Sequence, residues 1–335
     1  MSGVLARTPN RIDLAGGTLD IQPLAQIFPG SLTVNLAVSI ESEAEVELAD
    51  GPTKITSEDL GRTTELESLS GGEVDPEFRL IVEAARALSP PGELSIRTHN
   101  HAPRGSGLGA SSALTICLLG AIAHLLKRPR TLDEMIQIAV SVEMGVLGVP
   151  SGTQDHYAAA LGGALAVHHH RGSVRAERLP ASGDFKDALE ETILLHYTGV
   201  PHDSGAMNWE VVRSALDGKT RTLSGLTKIR DIAIETREAF LEGNIRRIGR
   251  LVAAESKERR KLARGVVPAE IDRVMKEARR AGALGSKLSG AGGGGTLVTV
   301  VPPDKKPAVM GVLESAGFTL LPWSVSPTGL RVTKP

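Results

Sequence analysis

Pro103-Arg104-Gly105-Ser106-Gly107-Leu108-Gly109-Ala110-Ser111-Ser112-Ala113 is the stretch on which the fold turns. It follows Leu94-Ser95-Ile96-Arg97, which reads as a strand, and opens into an apolar run over residues 113–126 that reads as a buried helix. Its glycines let the backbone take positive φ and approach a bulky ligand. The free N–H groups and the positive end of the following helix favour an anion. Strand, glycine loop and helix start therefore make a cradle for a polyphosphate, with Pro103, Gly105, Ser106, Gly107, Leu108, Gly109, Ala110, Ser111 and Ser112 as its candidate contacts. No Gly-Lys-Ser/Thr follows, so this is not the Walker loop, and the three glycines are too closely spaced for a dinucleotide fingerprint. Taken alone, the loop also reads as a glycine turn with a helix cap.

Composition narrows the class. With 335 residues the chain has room for two domains with substantial cores. Hydrophobic residues are 41% and charged residues 23%, the balance of an ordinary globular protein. The 38 basic residues against 39 acidic ones leave no cationic excess, and aromatics at 3% supply no stacking platform, so nucleic acid is not an expected partner. The single Cys117 lies in the apolar run, which suggests a core thiol and a reducing, cytoplasmic location. The first residues show no signal-peptide pattern, and no apolar stretch reaches the roughly 18 residues that span a bilayer.

Periodicity supplies a coarse map. Residues 5–14 read as a strand ending at Gly16-Gly17, and residues 31–48 as strand material, with Leu32, Val34, Leu36, Val38 and Ile40 alternating. Residues 51–72 are polar and turn-rich and read as an exposed connection. Residues 76–88 have helical spacing and stop at Pro90-Pro91. Thr131, with Glu134 three positions on, opens a helix over 131–145 through a capping box. A turn and helix start fall within 149–160, and strands at 165–168 and 191–198. Helices follow at 204–216, 221–241, 244–262 and 268–281; residues 295–301, 306–316 and 320–332 close as strand, helix, strand. The polar stretch 171–185 marks a domain boundary, dividing 1–180 from 181–335. Mixed strands early and strand-plus-helix late suggest α+β halves rather than a doubly wound sheet.

Two more segments matter. Thr8-Pro9-Asn10-Arg11-Ile12-Asp13-Leu14-Ala15-Gly16-Gly17-Thr18-Leu19-Asp20 stands near the N-terminus, and Lys287-Leu288-Ser289-Gly290-Ala291-Gly292-Gly293-Gly294-Gly295-Thr296 near the C-terminus. Together with the glycine loop they resemble, in order and across nearly the whole chain, the three motifs of the GHMP small-molecule kinases. The second motif of that family is P-x-x-x-G-L-G-S-S-A, and this chain departs from it at Ala110, where the first serine usually sits. The resemblance implies an α+β, two-domain GHMP kinase fold, with an N-terminal domain like ribosomal protein S5 and a ferredoxin-like C-terminal domain.

Phosphoryl transfer needs a phosphate cradle, a metal holder, a cation and a group that orients the attacking hydroxyl. The resemblance implies ATP in the glycine loop and Mg²⁺ on Ser111 and Glu143, although Glu143 by itself also reads as an ordinary surface glutamate. In Ser151-Gly152-Thr153-Gln154-Asp155-His156-Tyr157 the family places an aspartate, here Asp155, which would accept or orient the proton of the substrate hydroxyl. Preceding an alanine-rich run, Asp155 also suits an N-cap. The sugar-kinase branch often has glutamine where this chain has His156. Arg11 matches the basic residue of the first motif and would stabilise negative charge beside that aspartate; its alternative is a surface salt bridge. Asp20 stands where the galactokinase-like motif has its sugar-binding aspartate. With it, Gly16, Gly17, Gln154, Gly290, Ala291 and Gly292 are the expected substrate contacts. If the substrate carries a phosphate, Arg104, Lys287 and Arg213 are candidate cations for it. His168, His169 and His170 alternate faces on a strand and do not suit a single ion.

The form R-I-D-L-A-G-G-x-x-D, and Leu194-Leu195-His196-Tyr197-Thr198-Gly199 further on, are similar to the D-glycero-D-manno-heptose 7-phosphate kinases, and the former to the kinase part of fucokinases. Leu19 departs from that branch, where threonine is typical. The implied activity is ATP- and Mg²⁺-dependent transfer of a phosphoryl group to a hydroxyl of a sugar or sugar phosphate, with a heptose 7-phosphate foremost. Another GHMP activity (a mevalonate- or homoserine-type kinase or a diphosphomevalonate decarboxylase) and a non-catalytic sensor on the same fold stay open. The expected partner is a small sugar or sugar phosphate, without nucleic acid or membrane and with a homodimer left open.

Overall fold

The computed structural model describes residues 3–148, 151–201 and 204–334. In chain order the first half runs β1 (Val4–Ala15), α1 (Leu24–Ile27), β2 (Ser31–Leu48), β3 (Thr53–Ser57), β4 (Arg62–Leu66), α2 (Arg79–Arg86), β5 (Leu94–Asn100), α3 (Ala110–Leu125), α4 (Leu132–Leu147), α5 (Gln154–Leu161), β6 (Ala164–His170) and β7 (Ser173–Leu179). The second runs α6 (Gly183–Thr192), β8 (Ile193–Tyr197), α7 (Ser204–Leu216), α8 (Thr220–Leu241), α9 (Ile245–Arg259), α10 (Ala269–Arg280), β9 (Gly285–Leu288), β10 (Thr296–Val300), α11 (Lys306–Ser315), β11 (Thr319–Leu320) and β12 (Arg331–Thr333).

The 18 residues of β2 organise the larger, eight-stranded sheet. β1 pairs antiparallel along one edge; on the other edge β6 takes residues 31–36 and β5 takes residues 42–48. Burial changes between the two halves. Residues 31–38 are all buried, whereas buried and open positions alternate from Ser39 onward, as in a sheet with one solvated face. The double cover comes from the rest of the chain: Leu32, Val34, Leu36 and Val38 share a core with Ala233, Phe240, Val252 and Val298. Ala44 and Val46 pack instead with Phe78, Ile116 and Ile136 beneath α2, α3 and α4.

One expectation is corrected at an edge of this sheet. Residues 51–72 are not an irregular connection: β3 pairs parallel to β5 and forms a hairpin with β4. The polar stretch 171–185 contains β7, which extends the first sheet by pairing with β6, and the start of α6. At the far end, residues 320–332 do not form one strand. Between β11 and β12 the described residues make one isolated bridge, Val38 to Val325, before β12 joins β1.

The smaller sheet has the order β11-β8-β10-β9 and is antiparallel throughout. Successive residues of β10 serve opposite faces: Leu297 packs with Ile271, Val274 and Val309, Val298 with the core shared by both sheets. The halves thus meet through apolar side chains, and the three glycine-rich segments converge at their junction.

α3 begins at Ala110, three positions before the apolar run, because Gly109 takes a left-handed φ of 79° at its start. Ala110, Ser111 and Ser112 therefore form its first turn, and every residue from Ser112 to Ala123 is buried. No described helix is long and apolar enough to cross a membrane.

Candidate active site

A cavity of about 480 Å³ lies among the turn after β1, the glycine loop, α4, the start of α5 and the loop after β9. The glycine loop crosses it with Gly105, Gly107 and Gly109 at φ of 68°, 71° and 79°. Its carbonyl oxygens are engaged elsewhere. Ser106 accepts from the Thr296 N–H at 2.7 Å, Gly107 from Arg11 Nη1 at 2.6 Å and Leu108 from the Arg11 N–H at 2.9 Å. The residues of the first turn of α3, Ala110, Ser111 and Ser112, line the cavity, and the N–H groups of a helix's first turn have no partner within the helix.

Asp155 sits inside the first turn of α5, where Thr153 holds the N-cap position, so the capping role does not apply to it. Its carboxylate meets Arg11 instead: Nε donates to Oδ1 and Nη2 to Oδ2, each at 2.7 Å, a two-point fork that fixes both groups. Arg11 is 4% exposed while Asp155 keeps 21% of its side chain open, so the carboxylate is the accessible member of the pair.

Glu143, on α4, is buried. Its Oε2 accepts from Ser112 Oγ at 2.8 Å and Ser151 Oγ at 3.2 Å, and His156 Nε2 lies 3.1 Å away. Burial opposes its ionisation, but His156, then the Ser112 and Ser111 hydroxyls, outweigh that and hold its pKa below the usual value. The surface-glutamate alternative is thereby removed.

The turn after β1 carries Thr18 at a φ of 86°, rare for a β-branched residue, and presents Asp20 to the cavity. Asp20 accepts the Gln154 N–H at 3.1 Å. Burial, then the neighbouring Asp155 charge, push its pKa up to about 6. Gly152 has to be bare, since a Cβ there would lie 2.1 Å from Asp20 Oδ2. Leu19 points the other way, into a core with Leu24, Val211, Leu226 and Ile229, so its departure from the sugar-kinase pattern is one of packing.

On the far side, Ser289 Oγ accepts from Arg11 Nη1 and from the Asp13 N–H, each at 3.4 Å. Behind it lies a buried ionic quartet. Lys287 Nζ is 3.0 Å from both Asp13 Oδ2 and Glu255 Oε1, and Arg259 Nη1 donates to Asp13 Oδ2 at 3.1 Å. Burial works against the Asp13 charge, but Lys287, Arg259 and Arg11 keep its pKa below the ordinary range. Burial pushes Glu255 up to about 7 despite Lys287.

Most residues singled out in the sequence come together here. Arg11, Gly17, Asp20, Pro103, Gly105, Ser106, Gly107, Gly109, Ala110, Ser111, Ser112, Glu143, Gln154, Asp155, Gly290 and Ala291 all line the cavity. Gly16, Leu108 and Gly292 lie behind its wall: Gly16 packs on the Leu32 carbonyl, Leu108 enters the core, and Gly292 packs on Val266. Of the three candidate phosphate cations, Arg104 reaches the rim but is largely exposed and paired with Glu77 at 3.0 Å. Lys287 is sealed at 1% exposure, and Arg213 is exposed on α7 away from the wall. Arg259, Asn208 and the group Ser57, Asp59 and Glu77 line the cavity without having been read from the sequence.

Residues 79–163 match the GHMP kinases N terminal domain and residues 236–317 the GHMP kinases C terminal domain. A mevalonate kinase of Methanothermobacter thermautotrophicus is 31% identical over 270 residues, covering 80% of this chain and 83% of that one. The chain belongs to the GHMP kinase family. Another GHMP kinase, a D-glycero-alpha-D-manno-heptose 7-phosphate kinase of Campylobacter jejuni, is 27% identical over 313 residues, 91% of each chain. The crystal structure of a D-glycero-D-manno-heptose 1-phosphate kinase from Bacteroides thetaiotaomicron is similar over 99% of both chains, with a TM-score of 0.80 and 27% identity. As a GHMP kinase the protein is a phosphotransferase with an alcohol acceptor, and ATP is the family's phosphoryl donor.

Proposed function

We propose that this kinase transfers the γ-phosphoryl group of ATP to a hydroxyl of a heptose phosphate, with Asp155 as the group that takes the hydroxyl proton. The observation that carries the reading is the Arg11–Asp155 fork set against the glycine loop: a Cβ on Gly109 would come within 3.0 Å of Asp155 Oδ2. A hydroxyl on Asp155 is thus held next to the anion cradle, the placement that in-line transfer requires. The two heptose phosphate kinases, alike over nine-tenths or more of both chains, support the acceptor class.

In this reading the loop from Gly105 to Ser112 binds the phosphates through N–H groups, and Asp20 accepts hydrogen bonds from acceptor hydroxyls. Ser111, Ser112 and Glu143 form an all-oxygen donor set suited to Mg²⁺, which takes one or two protein ligands and completes its shell with phosphate and water. The ion would supply charge neutralisation at the phosphates. Asp155 receives the proton on a carboxylate lone pair that the Arg11 fork leaves free, on its exposed side, as the hydroxyl oxygen bonds to phosphorus and ADP leaves. Arg11 holds that carboxylate in place throughout. Residues 1–180 would carry the cradle and base, and residues 181–335 the closing loop.

The test is ATP consumption with Mg²⁺ across heptose 7-phosphate, heptose 1-phosphate, other sugars and sugar phosphates, mevalonate and homoserine, followed by mass analysis of products. A heptose bisphosphate product is expected. Turnover of mevalonate alone would overturn the acceptor assignment, and ATP binding without any transfer would overturn the reading altogether.

A further inference from the structure

We propose that Arg259 binds the phosphate that the acceptor already carries and so sets the preference for a sugar phosphate over a free sugar; this rests on the kinase reading above. An acceptor with one phosphate needs a cation on its own side of the cavity. Among the described residues, three arginines line that cavity. Arg11 is committed to Asp155 and the Gly107 carbonyl. Arg104 sits on the rim, paired with Glu77. Arg259 enters from α9, beside the two glycine segments that frame the acceptor side. A Cβ on Gly17 would lie 2.8 Å from its Nη1, and its Nη2 donates to the Gly290 carbonyl at 2.6 Å.

Its orientation is set before any ligand arrives. The bonds from Nη1 to Asp13 and from Nη2 to Gly290 use two of the five guanidinium N–H donors and fix the plane of the fork. A planar fork with donors to spare suits a phosphate. Charge points the same way. Lys287 and Arg259 face Asp13 and Glu255, and burial raises the Glu255 pKa, which weakens the negative side of the quartet. Arg259 is its one member on the cavity wall. Asp20 and Asp155 repel a phosphate from their own end, so an acceptor placed with a hydroxyl on Asp155 directs its phosphate away from them.

The experiment compares heptose 7-phosphate with unphosphorylated heptose, by calorimetric binding and by kcat/KM, for the wild type, Arg259→Gln and Arg259→Lys. The wild type should prefer the phosphorylated sugar by about 10- to 100-fold, the range of a hydrogen-bonded charged group. Arg259→Gln should lose most of that preference through KM for the phosphorylated sugar, with KM for ATP unchanged, and Arg259→Lys should restore part of it. Preference that survives in a folded Arg259→Gln protein overturns the assignment. So does a wild type that binds both sugars equally, a result that needs no variant to fold. Preferential binding lost in Arg259→Gln but without product in the wild type would overturn the kinase reading and leave the Arg259 assignment standing.

Discussion

Arg11 grips Asp155 with Nε and Nη2 at 2.7 Å while its Nη1 reaches the Gly107 carbonyl at 2.6 Å. One guanidinium therefore ties the proposed proton acceptor to the glycine loop, so that one rigid group would register both reactants. Lysine keeps the charge but cannot make the fork. Arg11→Lys should lower kcat by about 100-fold through misplacement, with KM for ATP little changed. Asp155→Ala should lower kcat by about 10²–10⁴-fold. Steady-state kinetics with each substrate varied checks both, and an Asp155→Ala enzyme within about threefold of wild type would exclude Asp155 as the base.

Glu143 is held by Ser112, Ser151 and His156 in a form that favours its charge. Glu143→Gln preserves the shape and removes that charge. The Mg²⁺ concentration for half-maximal rate should rise at least about tenfold. Titrating Mg²⁺ at fixed ATP reads this directly, and an unchanged midpoint would place the ion elsewhere.

Glycine loops were legible in the sequence because so few backbone structures tolerate that many glycines, and their order along the chain did the rest. Local chemistry was equally plain at Thr131, whose N–H donates to Glu134 Oε2 at 2.8 Å while the Glu134 N–H donates back to Thr131 Oγ1 at 3.2 Å. What escaped was set by distant partners. β3 hides its buried face behind Thr53 and Ser57, which look polar, and it is held by pairing Ile55 with Ile96 of β5. Arg259 looks like any cation on a charged helix; its burial is decided by Asp13, 246 positions away. Lys287 is the converse case, a motif lysine whose charge is spent on Asp13 and Glu255.

Lys287 should therefore matter for stability first. Lys287→Met leaves Asp13 and Glu255 buried without their shared cation, a loss of about 3 kcal/mol in unfolding free energy. Acceptor KM in the folded fraction should rise far less than for Arg259→Gln, because Lys287 does not reach the cavity and acts there only through the charge of the quartet. Urea denaturation alongside kinetics separates the two quantities. A large rise in KM with unchanged stability would put Lys287 on the substrate instead.

Asp20 makes stability depend on pH with a definite sign. Its folded pKa of about 6 stands above the ordinary 3.8. Between those values the folded protein keeps a proton that the unfolded chain releases, so stability falls as pH rises from about 4 to about 6 and this contribution is flat outside that window. A shift of about two units corresponds to a penalty on the order of 3 kcal/mol, present in full above about pH 7. Asp20→Asn removes the charge while its amide oxygen can still accept the Gln154 N–H. The ligand-free variant should melt a few degrees above wild type near pH 7.5 and level with it near pH 4. With Asp20 as the proposed acceptor of substrate hydroxyl hydrogen bonds, the same change should also raise acceptor KM about tenfold. Thermal melts at the two pH values, with KM measured at the higher one, test both effects. A variant with the same margin over wild type at each pH would show that the buried Asp20 charge is not the source of the penalty.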